Sequence, residues 1–422
     1  MGVDASGPHS GDAMNTAARR LLPTVTVLVG AFAAILALTT PVPRNFAFVA
    51  GGDRLDILLD SSASAWSLGA IVAVVTAVFA TRKQSALIVA AVGVAALSVL
   101  LSVPIPAELQ LRAMAAGLIL GGAAAVTALS RILQHALLFG AIAGVAASSV
   151  LQNVPSQYVD YAGSAFQQAP QTPVLLALVV FAALLAVSSW AKVFEEVSPV
   201  QSRGRVLAVG IVIPLVGLVL YWLFERSVNS LGPGGAMQNR WFLGLAVIPL
   251  LVGAAFVLPA VTGAILLAAL AFLSAPTVGS LTWGTALVFV AMLVLGGVVG
   301  HRRPSPMVGF VVLAVVAATG VFTGPPLDTV NIVATLVVLP LGVGVVYASL
   351  LPTTAPVAVM SVTTPIVMSV PVVAEFGWTA YSPLVELDPT FSPSTWVWMS
   401  TGISVVSVLV AGAALVVLRR RG

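Results

Sequence analysis

The feature that most constrains this chain is a stretch of about twenty apolar residues that recurs from one end to the other. Residues 21–40 set the pattern, reading LLPTVTVLVGAFAAILALTT without a single charge. A helix rises about 1.5 Å per residue, so roughly 20 residues cross a hydrocarbon core of ~30 Å. Comparable runs lie at about 64–81, 84–103, 110–130, 134–152, 173–191, 205–224, 241–258, 260–275, 282–300, 306–323, 330–351, 355–373 and 396–418. The stretch 241–275 is too long for one helix, roughly 50 Å at that rise, and Pro259 is the expected break. Hydrophobic residues make up 59% of the chain and charged ones 8%. A soluble domain of this size could not solvate its surface with so little charge. The expected fold class is an all-α polytopic membrane protein with about fourteen transmembrane helices.

Charge placement tests the count. Residues 1–20 are polar and are expected as a disordered cytoplasmic tail. Arg19-Arg20 before an apolar run has the look of a signal peptide. That run is long enough to span, however, and no small-residue cleavage site follows, so it is expected to stay as the first helix. With the N-terminus inside and strict alternation, Arg19, Arg20, Arg82, Lys83, Arg131, Lys192, Arg203, Arg205, Arg302, Arg303, Arg419, Arg420 and Arg421 are cytoplasmic. That is 13 of the 18 basic residues, while 10 of the 14 acidic residues fall outside. Positive-inside asymmetry is the main topological signal. One span more or fewer before Arg302 would reverse both it and the C-terminal arginines, so an even number is required: fourteen, with twelve the alternative. The net charge of +4 therefore reflects topology and not nucleic-acid binding. Sixteen Arg against two Lys, with abundant Ala, Val and Gly, suggest a high-GC bacterium and its plasma membrane, with both termini cytoplasmic.

The sequence also matches itself. FATRKQSALIV at 79–89 and VGHRRPSPMVG at 299–309 each set a basic pair between apolar runs, followed one residue later by Ser85 or Ser305. At the same offset of 220, PIPAE at 104–108 meets GPPLD at 324–328, placing Glu108 on Asp328. Loops of about 20 residues at 153–172 and 374–395 also correspond. The expected organisation is a six-helix bundle at 21–192, a linker and two-helix hairpin at 193–258, and a second six-helix bundle at 259–422.

Parallel six-helix repeats with two extra central helices are the layout of the fourteen-helix, drug-exporter-like branch of the major facilitator superfamily, which this chain resembles. That family carries Gly-x-x-x-Asp-Arg-x-Gly-Arg-Arg between helices 2 and 3, with a degenerate copy in the second half. Here Arg82 and Lys83, and then Arg302 and Arg303, keep the basic part, and the acidic member is missing from both. Arg112 followed by Gly117, Gly121 and Gly122 approximates the family's fourth helix. Gly140-x-x-x-Gly144 approximates its fifth helix, without the usual Pro. The resemblance implies a membrane transporter that works by alternating access.

Individual residues carry paired readings. Arg82, Lys83, Arg302 and Arg303 are either topology signals that snorkel to lipid phosphates or a latch closing the cytoplasmic gate. Arg112 is either a boundary ion pair with Glu108, four residues earlier, or a substrate or gating residue. His135 is an interfacial anchor or a proton-coupling group. Gly140 and Gly144 give close packing or a hinge. The span at 355–373 contains Pro356, Pro365 and Pro371 with Thr363-Thr364 before the middle proline. It either lines a cavity or is a kinked packing helix whose Thr hydroxyls satisfy the backbone.

Absences narrow the chemistry. The chain has no cysteine, which excludes disulfides and thiolate sites. No metal cluster, nucleotide loop or cofactor motif is present, and no carboxylate lies in the middle of a span. Asp53 and Asp56 in GGDRLD are the only candidates for an enzyme, which is not the expected reading. The expected function is export of an amphipathic or apolar small molecule, with the lipid bilayer and that substrate as the partners and no nucleic acid. The alternative is a flippase-like or accessory protein of bacterial cell-envelope assembly, which should show a basic cavity for an anionic lipid carrier.

Overall fold

The computed structural model describes residues 10–40, 61–103, 108–127, 130–152, 171–194, 197, 202–229, 242–275, 281–322, 327–379, 393 and 395–421. All regular structure among them is helical. The helices are α1 (Ser10–Thr39), α2 (Ser62–Phe79), α3 (Lys83–Ser102), α4 (Glu108–Ala125), α5 (Arg131–Gln152), α6 (Thr172–Trp190), α7 (Arg203–Asn229), α8 (Phe242–Leu245) and α9 (Val247–Val257). They continue with α10 (Ala264–Leu273), α11 (Trp283–Arg302), α12 (Pro306–Ala318), α13 (Asp328–Val333), α14 (Leu339–Leu350), α15 (Ala355–Thr379) and α16 (Thr395–Arg421). Among the described residues nine helices are long and apolar enough to cross a membrane, and four shorter apolar helices accompany them. The loops at 153–170 and 380–392, the GGDRLD segment and most of both outer Pro turns lie outside the described residues.

Sequence chemistry sets several boundaries. α9 stops at Val257, and a 3₁₀ turn at Ala260–Gly263 leads into α10, so the chain breaks around Pro259 as expected. Glu108 and Asp328, aligned by the repeat, are the first residues of α4 and α13, where a carboxylate favours the positive helix end. α13 passes into α14 through a π-helical segment at Ala334–Val338. Pro340, just beyond it, has no N–H to return to the preceding turn, which accounts for the widened winding. One expectation is corrected at the N-terminus. Residues 10–20, read as an unstructured tail, form the first turns of α1, and Ala13, Ala17 and Ala18 supply helix propensity there.

Packing follows the same plan in both parts of the chain. In the first, α1 packs on α4, α5 and α6, α2 on α4, and α3 on α4 and α6. In the second, α10 packs on α14, α15 and α16, α11 on α14, and α12 on α14 and α16. The two sets meet where α5 packs on α11 and α2 on α15. α7 lies against both α2 and α15 and so covers that seam, while α9 packs on α10 and α7. Glycines allow the closest approaches. The Gly140-x-x-x-Gly144 face sits on the α1 backbone at Leu28 and Phe32, so this pair packs helices together. Gly117 and Gly121 sit on α2 at Gly69 and Ala73 in the same way.

Candidate functional site: a central cavity and its closed end

Most cations gather at one end of the bundle. Arg131 opens α5, and Arg302 and Arg303 close α11. Arg82 and Lys83 lie between α2 and α3, and Arg419–Arg421 end α16, where the Arg421 guanidinium stands 5.0 Å over the Phe256 ring of α9. This is called the basic end below.

A cavity of about 270 Å³ lies between the two helix sets, starting above the basic end and reaching towards the opposite one. α1, α2 and α5 line it from one side, and α10, α14 and α15 from the other. Its wall is apolar and aromatic: Trp66, Ile142, Val145, Phe272, Leu339, Ile366 and their neighbours. The polar groups are hydroxyls and an indole, and no lining residue carries a charge. Most of these groups already bond to nearby backbone. Thr39 Oγ1 donates to Ile35 O at 2.7 Å, Ser148 Oγ to Val145 O at 2.8 Å, and Trp66 Nε1 to Leu38 O at 2.9 Å. Ser149 Oγ, also on the wall, has no partner.

The floor of the cavity solves a problem posed by Pro365. Proline at 365 removes the donor that would bond the carbonyl of Ser361, four residues back. Tyr347 on α14 supplies the replacement, its hydroxyl donating to Ser361 O at 3.0 Å. The tyrosine is buried, and with Ser361 and Pro365 it forms part of the cavity lining. Thr hydroxyls were expected in this role. Instead Thr363 Oγ1 donates to Val359 O at 3.0 Å, and Thr363 and Thr364 are buried away from the cavity. Of the three, only Pro365 reaches the cavity wall, and α15 runs helical through it.

Below the floor the two halves are bonded together. Arg131 Nε donates to Leu351 O at 2.7 Å. Leu351 is the C-cap of α14, where carbonyls lack helical donors and attract cations. Gln134, fully buried, makes a two-way amide pair with the backbone of Thr353: Nε2 donates to Thr353 O at 2.5 Å, and Thr353 N donates to Oε1 at 2.8 Å. One turn further, the Phe139 ring fills the space above Gly297 of α11, where any Cβ would collide with it. His135 lies between, with its ring 5.7 Å from Phe139 and 5.4 Å from His301 on α11.

These closing residues differ from those the sequence suggested. Arg82, Arg302 and Arg303 are exposed and Lys83 is half-exposed. Ser85 caps α3 through Arg82 N and O. The inter-half bonds come from Arg131, counted only as a topology signal, and from Gln134, which was passed over. The repeat held the clue, because Arg131 and Leu351 are 220 positions apart. Residues equated by a two-fold repeat can touch only near its axis.

Arg112 stands in the first turns of α4. It is 6% exposed and ion-paired with Glu108. Its Nη2 donates at 3.1 Å to the side-chain oxygen of Gln171, once that amide is oriented to suit its neighbours, and the Gln171 nitrogen donates to Leu101 O at 3.0 Å. The cluster ties α4 to the ends of α3 and α6, and neither Arg112 nor Glu108 lines the central cavity.

No family model matches this sequence, and no curated protein matches it as a relative. Among solved structures, a bacterial homologue of the human drug peptide transporters PepT1 and PepT2 superposes with a TM-score of 0.53 at 14% identity, covering 96% of this chain and 98% of that one. The POT family transporter PepTSo superposes at 0.50 with 12% identity, covering 95% and 98%. A major facilitator superfamily transporter, FucP in the outward conformation, gives 0.46 with 16% identity, covering 95% and 98%, too low a score to argue from. The chain has the fold of the first two of these proteins.

Proposed function

We propose that this protein is a facilitator-type transporter that moves an uncharged, amphipathic or apolar small molecule by alternating access. The observation that carries this reading is the central cavity: lined by both halves, bonded shut at the basic end, and without a charged residue on its wall. The fourteen apolar stretches of the sequence are read as spans, with residues 21–192 and 259–422 as the moving halves and α7 and α9 as the central hairpin. The basic end faces the cytoplasm of a bacterial cell, as positive-inside asymmetry requires. Export is the direction implied by the fourteen-helix, drug-exporter-like layout.

The cavity's chemistry selects among substrates. A peptide carries a charged amine and carboxylate at neutral pH, and taking such groups from water into an uncharged wall is costly. A peptide is therefore a poor fit, although one protein of the same fold is a bacterial homologue of human drug peptide transporters. An anionic lipid carrier meets the same obstacle, because no cation lines the cavity, and the flippase alternative loses its main support. Trp66, Phe272 and Tyr347 offer aromatic faces, and Ser149 offers a free hydroxyl. A ligand with a flat apolar body and one or two neutral polar groups fits that wall.

The test fills the cavity. Purified protein in proteoliposomes is assayed for movement of neutral amphipathic dyes and of a dipeptide. Ile142→Trp and Ser369→Trp should each lower dye movement on the order of tenfold, as overpacking of a built site does, with the yield of folded protein unchanged. Dye movement in both filled variants equal to the parent's would sink the reading.

A further inference from the structure

We propose that the groove between α3 and α6 is a binding site for an anionic phospholipid, which lays an acyl chain along the groove and its phosphate among Arg82, Lys83 and Lys192. The site belongs to the membrane face of the protein and stands whether or not the central cavity carries a substrate.

Neither α3 nor α6 lines the central cavity. Both present exposed apolar side chains outward, Ile88, Val92 and Val99 on α3 and Leu176, Val179 and Val187 on α6. The two helices are joined at the outer end, where Gln171 bridges Leu101 O and Arg112. Towards the basic end they leave between them an open groove of about 560 Å³.

The sequence makes this space. Its wall is formed on α3 by Gln84, Ala91 and Ala95, at spacings of seven and four, and on α6 by Ala182, Ala186 and Ser189, at spacings of four and three. Such spacings keep residues on one face of a helix. The groove therefore lies between the faces that α3 and α6 turn to each other, and four alanines are too short to meet across it. The corresponding pair in the second half, α12 and α16, packs directly, with Gly412 so placed that a Cβ on it would touch Phe310. The gap is thus a property of these alanines and not of the helix plan.

Its dimensions fit one leaflet. Gln84 and Ala95 are eleven residues apart, about 16 Å of helix, and half of the hydrocarbon core is about 15 Å. A groove that starts at the basic end therefore reaches about as deep as one acyl chain. Trp190, next to Ser189 at the mouth, is 88% exposed, and tryptophan settles at the level of the lipid headgroups.

The mouth is charged to match. Arg82 and Lys83 immediately precede Gln84, and Lys192 follows Ser189 by three residues, so both lysines of the chain stand here. Arg82 and Lys192 are exposed and Lys83 is half-exposed. None of the three has an ion-pair partner among the described residues. Glu195 and Glu196 follow Lys192 in sequence, outside the described residues. An apolar groove that opens on three unpaired cations suits a molecule with a long apolar chain and a negative head. Free phosphate would leave the groove bare, and a neutral apolar ligand would leave the cations unmatched. A zwitterionic lipid brings its own ammonium group, which the three cations repel.

The test weighs the bound lipid. Full-length protein in mild detergent is given equal amounts of phosphatidylglycerol and phosphatidylcholine, and the lipids it retains are measured by native mass spectrometry. The parent should retain phosphatidylglycerol in excess. Arg82→Gln, Lys83→Gln and Lys192→Gln should each lower that excess about fivefold, the factor that one cation near a lipid phosphate supplies. Ala91→Phe with Ala186→Phe, both exposed on the groove wall, should displace the lipid with all three cations in place. Arg302→Gln with Arg303→Gln, the matching basic pair of the second half, should leave retention unchanged. Equal retention of the two lipids by the parent, or retention that survives the Phe pair, would overturn the site. A loss in the 302–303 variant as large as in the single cation variants would reveal a diffuse attraction of the whole basic end and overturn it too. A dimer mass that the Phe pair abolishes would give the groove to a second copy of the chain in place of a lipid. The cation variants change only exposed or half-exposed side chains, so they decide the matter even if the Phe pair lowers the yield of folded protein.

Discussion

At the residue scale the most informative contact is Tyr347 with Ser361. Pro365 strips a carbonyl of its helical donor, and in a cavity floor no lipid group and no buried Thr replaces it. A tyrosine from a neighbouring helix does. This yields a double-mutant test. Tyr347→Phe should lower stability by about 1–2 kcal/mol, the range for an interhelical hydrogen bond and an orphaned acceptor. In a Pro365→Ala background, where residue 365 can donate to Ser361 O itself, the same substitution should cost much less. Thermal unfolding in detergent measures both, and equal costs in the two backgrounds would disprove the assignment. Neither partner was legible as a pair beforehand. Pro365 and the run of prolines stood out, but nothing local to position 347 says which carbonyl, on which helix, its hydroxyl will face. Arg112 teaches the converse. Its pairing with Glu108 was legible from the four-residue spacing, whereas its burial among α3, α4 and α6 depends on Gln171, which lies beyond the whole of α5 in sequence.

At the element scale, glycine spacing and proline position explain where helices touch and where they stop. Gly140 and Gly144 bring α5 onto α1, and the packing reading of that motif follows from the α1 carbonyls they face. Gly297 is different, because the group above it is the Phe139 ring from the other half and not a helix of its own bundle. Gly297→Leu should push that ring out and disfavour closure at the basic end, leaving each half intact. Spin labels on Thr81→Cys and Met307→Cys, both exposed at the basic end, should then report a longer distance than in the parent, with little change in unfolding temperature. An unchanged distance would mean that α5 and α11 do not set the closed state. The central hairpin is tied to both bundles, since α7 lies against α2 and α15, one helix from each half. Its apolar composition marked it as a span but held no sign of which seam it would cover.

For the whole molecule the first question is orientation. Cysteines placed singly at Ser85 and Ser305 should resist an impermeant thiol reagent in intact cells and react after permeabilisation. Labelling from outside would invert the topology. Membrane class, the placing of most helices and the break at Pro259 were readable in the order of residues. Each follows from local causes: hydrocarbon thickness fixes span length, missing N–H groups end helices, and Lys and Arg stay on one side. The closed end and the cavity were not readable. In lipid, the apolar faces that pack on protein and those that meet acyl chains have the same composition, so helix association is decided by shape and a few polar bonds. Which cation would cap which helix, Arg131 on Leu351 in place of the conspicuous pairs at 82–83 and 302–303, emerges only when two halves 220 residues apart are laid against each other.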